Sequence, residues 1–292
     1  MASLKDIRAR IQSTKNTQQI TSALKLVSAS KLKRAQNNVV NLRPYAKALK
    51  QLIYDLAASE RAQHALLEKR SNVQNLLLVV VSSDRGLCGA FNSTINKFTT
   101  KYLEENKNNY AKIDVVFVGK KSRDFFARKN LQAVDTITDL AREISYSMSA
   151  NIAEKIMKYY LDGHYDEVRF VYNEFKSAIS QEVRCETLLP IDPLADVDTT
   201  KENKFSKDLI VEPAPQIMIE QLLKKYFSVQ VYRSLSESVA AEHGARMTAM
   251  ENATKNAGEM IRNLSLTYNK LRQASITSEL IEITTGAEAL KG

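Results

Sequence analysis

The 292-residue sequence is short of several things at once, and each shortage removes a class of protein. The longest wholly apolar run is six residues, Leu76 to Val81, where a membrane-spanning helix needs about 20. The opening MASLKDIRARIQ is charged throughout and has no apolar segment of a secretory leader, so the chain is expected not to be secreted. That start is basic and serine-rich, like a transit peptide, but its apolar spacing runs on to Leu56, which argues for a part of the fold. The two cysteines, Cys88 and Cys185, are far apart and form no C-x-x-C pair, which excludes a disulfide framework and a zinc site of that pattern. His64, His164 and His243 stand alone, at no metal-ligand spacing. Glycine and proline, the residues that interrupt helices, are almost missing from both ends. Gln216 to Gly286 holds no proline and only Gly244 and Gly258 before its closing glycine, and Ser3 to Ala57 holds no glycine and one proline, Pro44.

What fills those two stretches is a repeat of three and four. In the second, Met250, Ala253, Ala257, Met260, Leu264, Thr267, Leu271, Ala274, Ser278, Ile281 and Thr285 keep one face toward a partner helix. A helix over 216–285 would reach roughly 105 Å, too long to stay inside a domain of this size. Ala, Thr and Ser on the seam make a thin, weakly apolar rod, suited to running inside something else. In the first stretch Leu32, Ala35, Val39, Leu42, Ala46, Leu49, Ile53 and Leu56 carry the same spacing, with Leu4, Ile7 and Ile11, then Ile20, Leu24 and Val27, extending it after a shift of phase. The two arms are expected to pair antiparallel with a left-handed twist. Pro44 removes one helical hydrogen bond, so a mild kink or slack turn is expected near Leu42.

Between the arms the pattern changes to α/β. Leu76–Val81, Ile113–Val118 and Val168–Tyr172 read as buried strands, with helices around Asn92–Leu103, Ser122–Lys129 and Leu140–Leu161, the last capped by Asp139. This alternation gives a mainly parallel sheet with covered faces. The expected architecture is a long antiparallel coiled coil of N- and C-terminal helices (1–57 and 216–286) with a Rossmann-like α/β central domain (75–190), followed by a Pro-, Asp- and Lys-rich loop over 191–215.

Charge is the second informative property. Up to Ala57 eleven Lys and Arg face only Asp6 and Asp55, so the whole +9 excess of the chain lies on the first arm. Such an arm suits an acidic protein surface or nucleic acid. Its cations are spread over some fifty positions, not gathered ahead of a zipper, and lack interleaved aromatics, which disfavours nucleic acid. Motifs of catalysis fail. Val118-Gly119-Lys120-Lys121-Ser122 has Asp114 where a phosphate loop needs glycine and Lys121 where it needs Ser or Thr. Asp84-Arg85-Gly86-Leu87-Cys88-Gly89, between a strand and a helix, could offer backbone N–H groups to an anion, but its two glycines fit a tight strand-to-helix turn better. Glu279 and Glu282 read as a helix face, not an acid/base pair, and a nucleotide-binding α/β enzyme or a basic coiled-coil nucleic-acid binder stay as the alternative classes.

Six segments resemble one family. Ile276-Thr277-Ser278-Glu279-Leu280-Ile281-Glu282-Ile283-Thr284-Thr285-Gly286-Ala287-Glu288-Ala289 is similar to the C-terminal signature of the gamma subunit of F-type ATP synthase. Asp6 through Leu32 resembles its first helix, Ser83-Asp84-Arg85-Gly86-Leu87-Cys88-Gly89 and Tyr172-Asn173-Glu174-Phe175 its globular domain, and Glu242 to Met250 with Asn269 to Ser275 its second helix. The resemblance implies a central rotor shaft that turns inside an alpha3-beta3 hexamer, stands with an epsilon subunit on a ring of c subunits, and couples ion-driven rotation to ATP synthesis or hydrolysis. It implies no catalytic residue and no cofactor on this chain, Mg-ATP and ADP being held by partner subunits. Contacts with beta carry over to Arg272 and Gln273, coupling positions to Arg246, Gln273, Thr277 and Glu279, and a place near the acidic beta lever to Leu24, with Lys25 beside it on the basic arm. Leu24 replaces the family's usual methionine, and Gly244 its usual alanine. The match from the first residues suggests a bacterial chain, peripheral on the cytoplasmic side of the cell membrane.

Overall fold

The computed structural model describes residues 3–58, 64–70, 72–138, 144–192 and 215–289. Its elements are α1 (Leu4–Ala58), β1 (Asn75–Val81), α2 (Phe91–Asn106), β2 (Lys112–Val118), α3 (Lys120–Ala127), β3 (Asp135–Ile137), α4 (Tyr146–Leu161), β4 (Glu167–Phe175), β5 (Gln181–Leu189) and α5 (Pro215–Ala289). They divide into a unit of residues 29–246 and a unit of residues 1–28 with 247–292, so each long helix contributes to both.

In the larger unit the sheet order is β3-β2-β1-β4-β5. β1 pairs in parallel with β2 and β4, β2 in parallel with β3, and β5 runs antiparallel to β4. The order reverses between β1 and β4, the switch point at which Rossmann-like sheets bind ligands. Alternate residues of β1 enter two cores. Leu77, Val79 and Val81 pack with α4 and with Leu49, Ile53, Leu223 and Phe227 of the long helices. Leu76, Leu78 and Val80 pack with Phe91 and Ile95 of α2 and Phe126 of α3. Both faces are covered, which is why the strand reads as one apolar run and not as an alternation.

Two strands escape the sequence reading. β3 has three residues, and β5 (QEVRCETLL) carries charges on alternate positions because it closes the sheet as a polar outer strand. Helix α4 starts at Tyr146, later than expected, with Ser145 as its N-cap accepting the Met148 N–H at 3.2 Å. The expected cap Asp139, with Leu140, lies outside the described residues, as does most of the expected 191–215 loop. Helix α1 runs on through Pro44 without a break.

The expected stripe on the inner part of α1 is met as far as Ile53, the side chain of Leu56 lying outside the described residues. Leu32, Ala35, Val39, Ala46, Leu49 and Ile53 are buried, with Leu42 half-buried. In the smaller unit the expected shift of phase is not. Ile20 and Val27 are 61 % and 53 % exposed, while the shielded positions, Ile7, Ile11, Thr14, Gln18, Thr21, Lys25 and Ser28, continue the same three–four spacing without interruption. From Thr14 to Ser28 polar residues hold the seam while Ile20 and Val27 point outward, so hydrophobicity alone misleads. The helices are antiparallel in this unit. Thr14 Oγ1 reaches Met260 Sδ at 3.9 Å, Thr21 Oγ1 meets Thr254 Oγ1 at 2.8 Å, and Lys25 Nζ meets Glu251 at 3.2 Å, α5 numbers falling as α1 numbers rise. On α5 the shielded positions are Ala257, Ile261, Leu264, Tyr268, Leu271 and Ser275, so three expected seam residues, Met260, Thr267 and Ala274, lie one place off and are exposed. Carried on at the register of these contacts, Leu4 falls level with the turn of α5 that holds Tyr268 and Leu271, and from Ile276 to Ala289 every α5 residue is exposed.

Candidate partner-contact residues

The seven residues expected to touch partners fall into three places. Arg272, Gln273, Thr277 and Glu279 lie together on the exposed end of α5. Thr277 Oγ1 donates to the Gln273 carbonyl at 2.9 Å and Ser275 Oγ to Glu279 at 3.4 Å, bonds internal to the helix that leave the Arg272 and Gln273 side chains facing outward. Around them Ile276, Leu280, Ile281 and Ile283 are half to two-thirds exposed. Four large apolar side chains on one helix end, with no shield among the described residues, mark a surface built to be covered.

Leu24 and Lys25 lie on α1, both half-buried. Lys25 sits on the seam and pairs with Glu251, an exposed ion pair of small energetic worth. Outward from Leu24, the exposed Ile20 and Val27 make an apolar stripe at helical spacing. The charge count of the arm points to its eleven Lys and Arg residues, Lys25 among them. The apolar spacing of Ile20, Leu24 and Val27 reads as a stretch of the seam, whereas Ile20 and Val27 face outward.

Arg246 belongs to neither surface. Its side chain is 12 % exposed and pairs with Glu242 one turn earlier at 2.7 Å. Its Nη2 donates to the Gly86 carbonyl at 3.1 Å and to the Arg85 carbonyl at 3.3 Å. Burial raises the Glu242 carboxyl above its usual range, with Arg246 opposing. Burial, with Arg246 and Lys31 adding to it, lowers His243 to about 4, so its ring is neutral at pH 7 and fits beside the guanidinium at 3.4 Å. Glu242 was missed, although a glutamate four residues before an arginine on a helix is a readable signal.

Beyond the carboxyl end of β2, N–H groups that would hold an anion are taken by the chain itself. At the start of α3, Lys120 N–H is bound by Asp84 Oδ1, Lys121 N–H by the Ser83 carbonyl and Ser122 N–H by Ser82 Oγ. Gly119 has φ +109°, and a Cβ there would stand 2.2 Å from the Ser82 carbonyl, so this glycine serves strand packing and not a phosphate. Gly244 has its own reason. A Cβ on it would lie 3.2 Å from the Ala178 carbonyl in the β4–β5 turn and 3.4 Å from Phe175.

A family model described as ATP synthase matches residues 3–290. The chain is 62% identical to the ATP synthase gamma chain of Bdellovibrio bacteriovorus, over 100% of both chains. The chain belongs to the ATP synthase gamma chain family. A solved central stalk of Tetrahymena thermophila mitochondrial ATP synthase is 29% identical, with a TM-score of 0.62 over 80% of this chain and 99% of that one. A chain of the Euglena gracilis mitochondrial ATP synthase, 22% identical over 98% of this chain and 94% of that one, has the same fold with a TM-score of 0.68. In this gamma-family chain no described helix is long and apolar enough to cross a membrane.

Proposed function

We propose that the chain is the central rotor of a bacterial F-type ATP synthase, a subunit without catalytic residues of its own. It couples rotation of a c-ring to conformational change at nucleotide sites held by beta subunits in an alpha3-beta3 hexamer. The single observation that carries this is the end of α5. From Ile276 to Ala289 it is fully exposed, partly apolar, and stands past the register of the other long helix, as an axle inside a sleeve must. A thin surface of this kind offers each surrounding subunit a different face, and each face stabilises a different conformation only by its differential contacts. Leu24, Arg272, Gln273, Thr277 and Glu279 are the residues assigned to those contacts. The basic arm adds electrostatic attraction to an acidic lever of beta, and an epsilon subunit completes the foot on the c-ring, at the cytoplasmic face of the cell membrane.

The test is reconstitution with alpha, beta and the membrane sector of a bacterial relative, reading ATP hydrolysis and ATP-driven ion pumping together. The wild-type chain should restore both. Arg272→Ala and Gln273→Ala should each lower pumping per ATP while the isolated chain keeps its helicity, since each loses a bond to a partner worth about 1 to 3 kcal/mol. Normal pumping in both variants would remove these residues from the contact set.

A further inference from the structure

The placement of Arg246 calls for a role other than direct contact. Its guanidinium is nearly buried, aimed at the carbonyls of Arg85 and Gly86, and steadied by Glu242. The turn it holds needs holding, because Leu87 stands in the left-handed region with φ +64° and its side chain is exposed, a strained place for a residue with a branched side chain. The same turn caps α3 through Asp84 and is bound at its base by Asn92, whose Oδ1 accepts the Ser83 N–H at 3.1 Å. It therefore links β1, α2 and α3 in one piece. On α5, Arg246 is the last residue of the unit that contains the sheet.

We propose that Arg246 is a positioning residue: its guanidinium latches the turn Asp84–Gly89 to α5 where that helix leaves the sheet-bearing unit, so that torque passes from the sheet to the helix without the turn yielding. This rests on the rotor reading above. A latch of carbonyl acceptors on a guanidinium fork is strong for its size, since the donor is charged and planar and grips two oxygens at once. Lysine cannot reproduce the fork.

Cys88 gives the readout. It lies in the latched turn at 2 % exposure, and burial raises its thiol above the usual range, so it should react slowly while the latch is closed. In a Cys185→Ser background, with the chain assembled with alpha, beta and the membrane sector, Arg246→Ala should speed maleimide labelling of Cys88 about tenfold or more. Arg246→Lys and Glu242→Gln should give smaller increases, and circular dichroism should show helicity kept in all three. Ions pumped per ATP should fall in the same rank order, a correlation that general loss of stability would not produce. Unchanged labelling in Arg246→Ala overturns the latch. Faster labelling with a wild-type pumping ratio overturns the positioning role. If the wild-type chain itself fails to restore pumping, the rotor reading falls, and the labelling series still decides whether the latch exists.

Discussion

The same two helices behave as different materials in the two units. In residues 29–246, α5 is buried almost all round over Tyr226–Ala241, and α1 presents Leu32, Val39, Leu49 and Ile53 to the core. In residues 1–28 and 247–292 the spacing is unchanged, but Thr14, Gln18, Thr21 and Lys25 of α1 stand at the corresponding positions, opposite residues such as Thr254, Gly258 and Glu251. Spacing decides which side chains meet, and their chemistry decides how firmly. One part is anchored, the other is only aligned.

The largest effect that sharpens this contrast is in the core. Leu78 is fully buried between α2 and α3 residues, so Leu78→Ala should cost about 2 to 5 kcal/mol, while Leu264→Ala on the half-exposed coil seam should cost less than half as much. Equal losses, measured by denaturant unfolding followed at both units, would dissolve the distinction.

A second, smaller effect is pH dependence confined to the larger unit. His243 binds its proton less readily when folded, at about 4, than at its ordinary 6.5, so the unfolded chain takes up the proton first as pH falls. Stability should therefore decline from about pH 6.5 toward 4, by about 1 to 2 kcal/mol once solvent screening is allowed for. Glu242 acts with the opposite sign, because its raised carboxyl favours the folded state at low pH and loses that contribution as pH rises. His243→Gln should remove the His243 share of the slope in denaturation midpoints between pH 7 and 4.5. An unchanged slope would place the acid sensitivity elsewhere.

These cases also show what the sequence could tell. The central strands were legible because β1 from Leu76 and β2 from Val115 are covered on both faces and therefore apolar there, and the inner seam of α1 because Leu, Val and Ile occupy it. The outer seam was not, because Thr14, Gln18 and Thr21 carry no hydrophobic signal and the exposed Ile20 and Val27 carry a false one. On α5, Met260 and Ile261 are adjacent, and only packing chooses between them. Among the site residues, the family resemblance supplied positions but no environment. It gave Arg272 as a contact and Arg246 as a coupling position, and the structure exposes the first and buries the second against a turn.

The smallest predicted effect compares two glycines on α5. Alanine is worth up to about 1 kcal/mol over glycine inside a helix. At Gly258 the nearest obstacle to a Cβ is the Gln18 amide at 3.1 Å, the far end of a flexible side chain, so Gly258→Ala should gain most of that value. At Gly244 the obstacle is the Ala178 backbone at 3.2 and 3.3 Å, so Gly244→Ala should gain little or nothing, unless the β4–β5 turn gives way. Thermal unfolding of the two variants side by side tests this. A larger gain at Gly244 would mean that the turn is more compliant than its Ser177 hydrogen bonds suggest.

The hydroxyl-rich seam of the outer coil has a thermal consequence. Heat-capacity change on unfolding follows the apolar area exposed, and hydroxyl, amide and ammonium groups add little or subtract. The sheet-bearing unit should thus have a strongly curved stability profile, weakening in the cold as its hydrophobic driving force fades. The outer coil, where Thr14, Gln18, Thr21, Lys25 and Ser28 share the seam with Ile7, Ile11, Ile261 and Leu264, buries less apolar area per residue and should follow a flatter profile, so that warming or cooling the cell alters the grip of the anchored part more than the alignment of the slender one. Calorimetry of the full chain would show this as a small heat-capacity step for any transition of the outer coil beside a large one for the sheet, and comparable steps per residue would refute it.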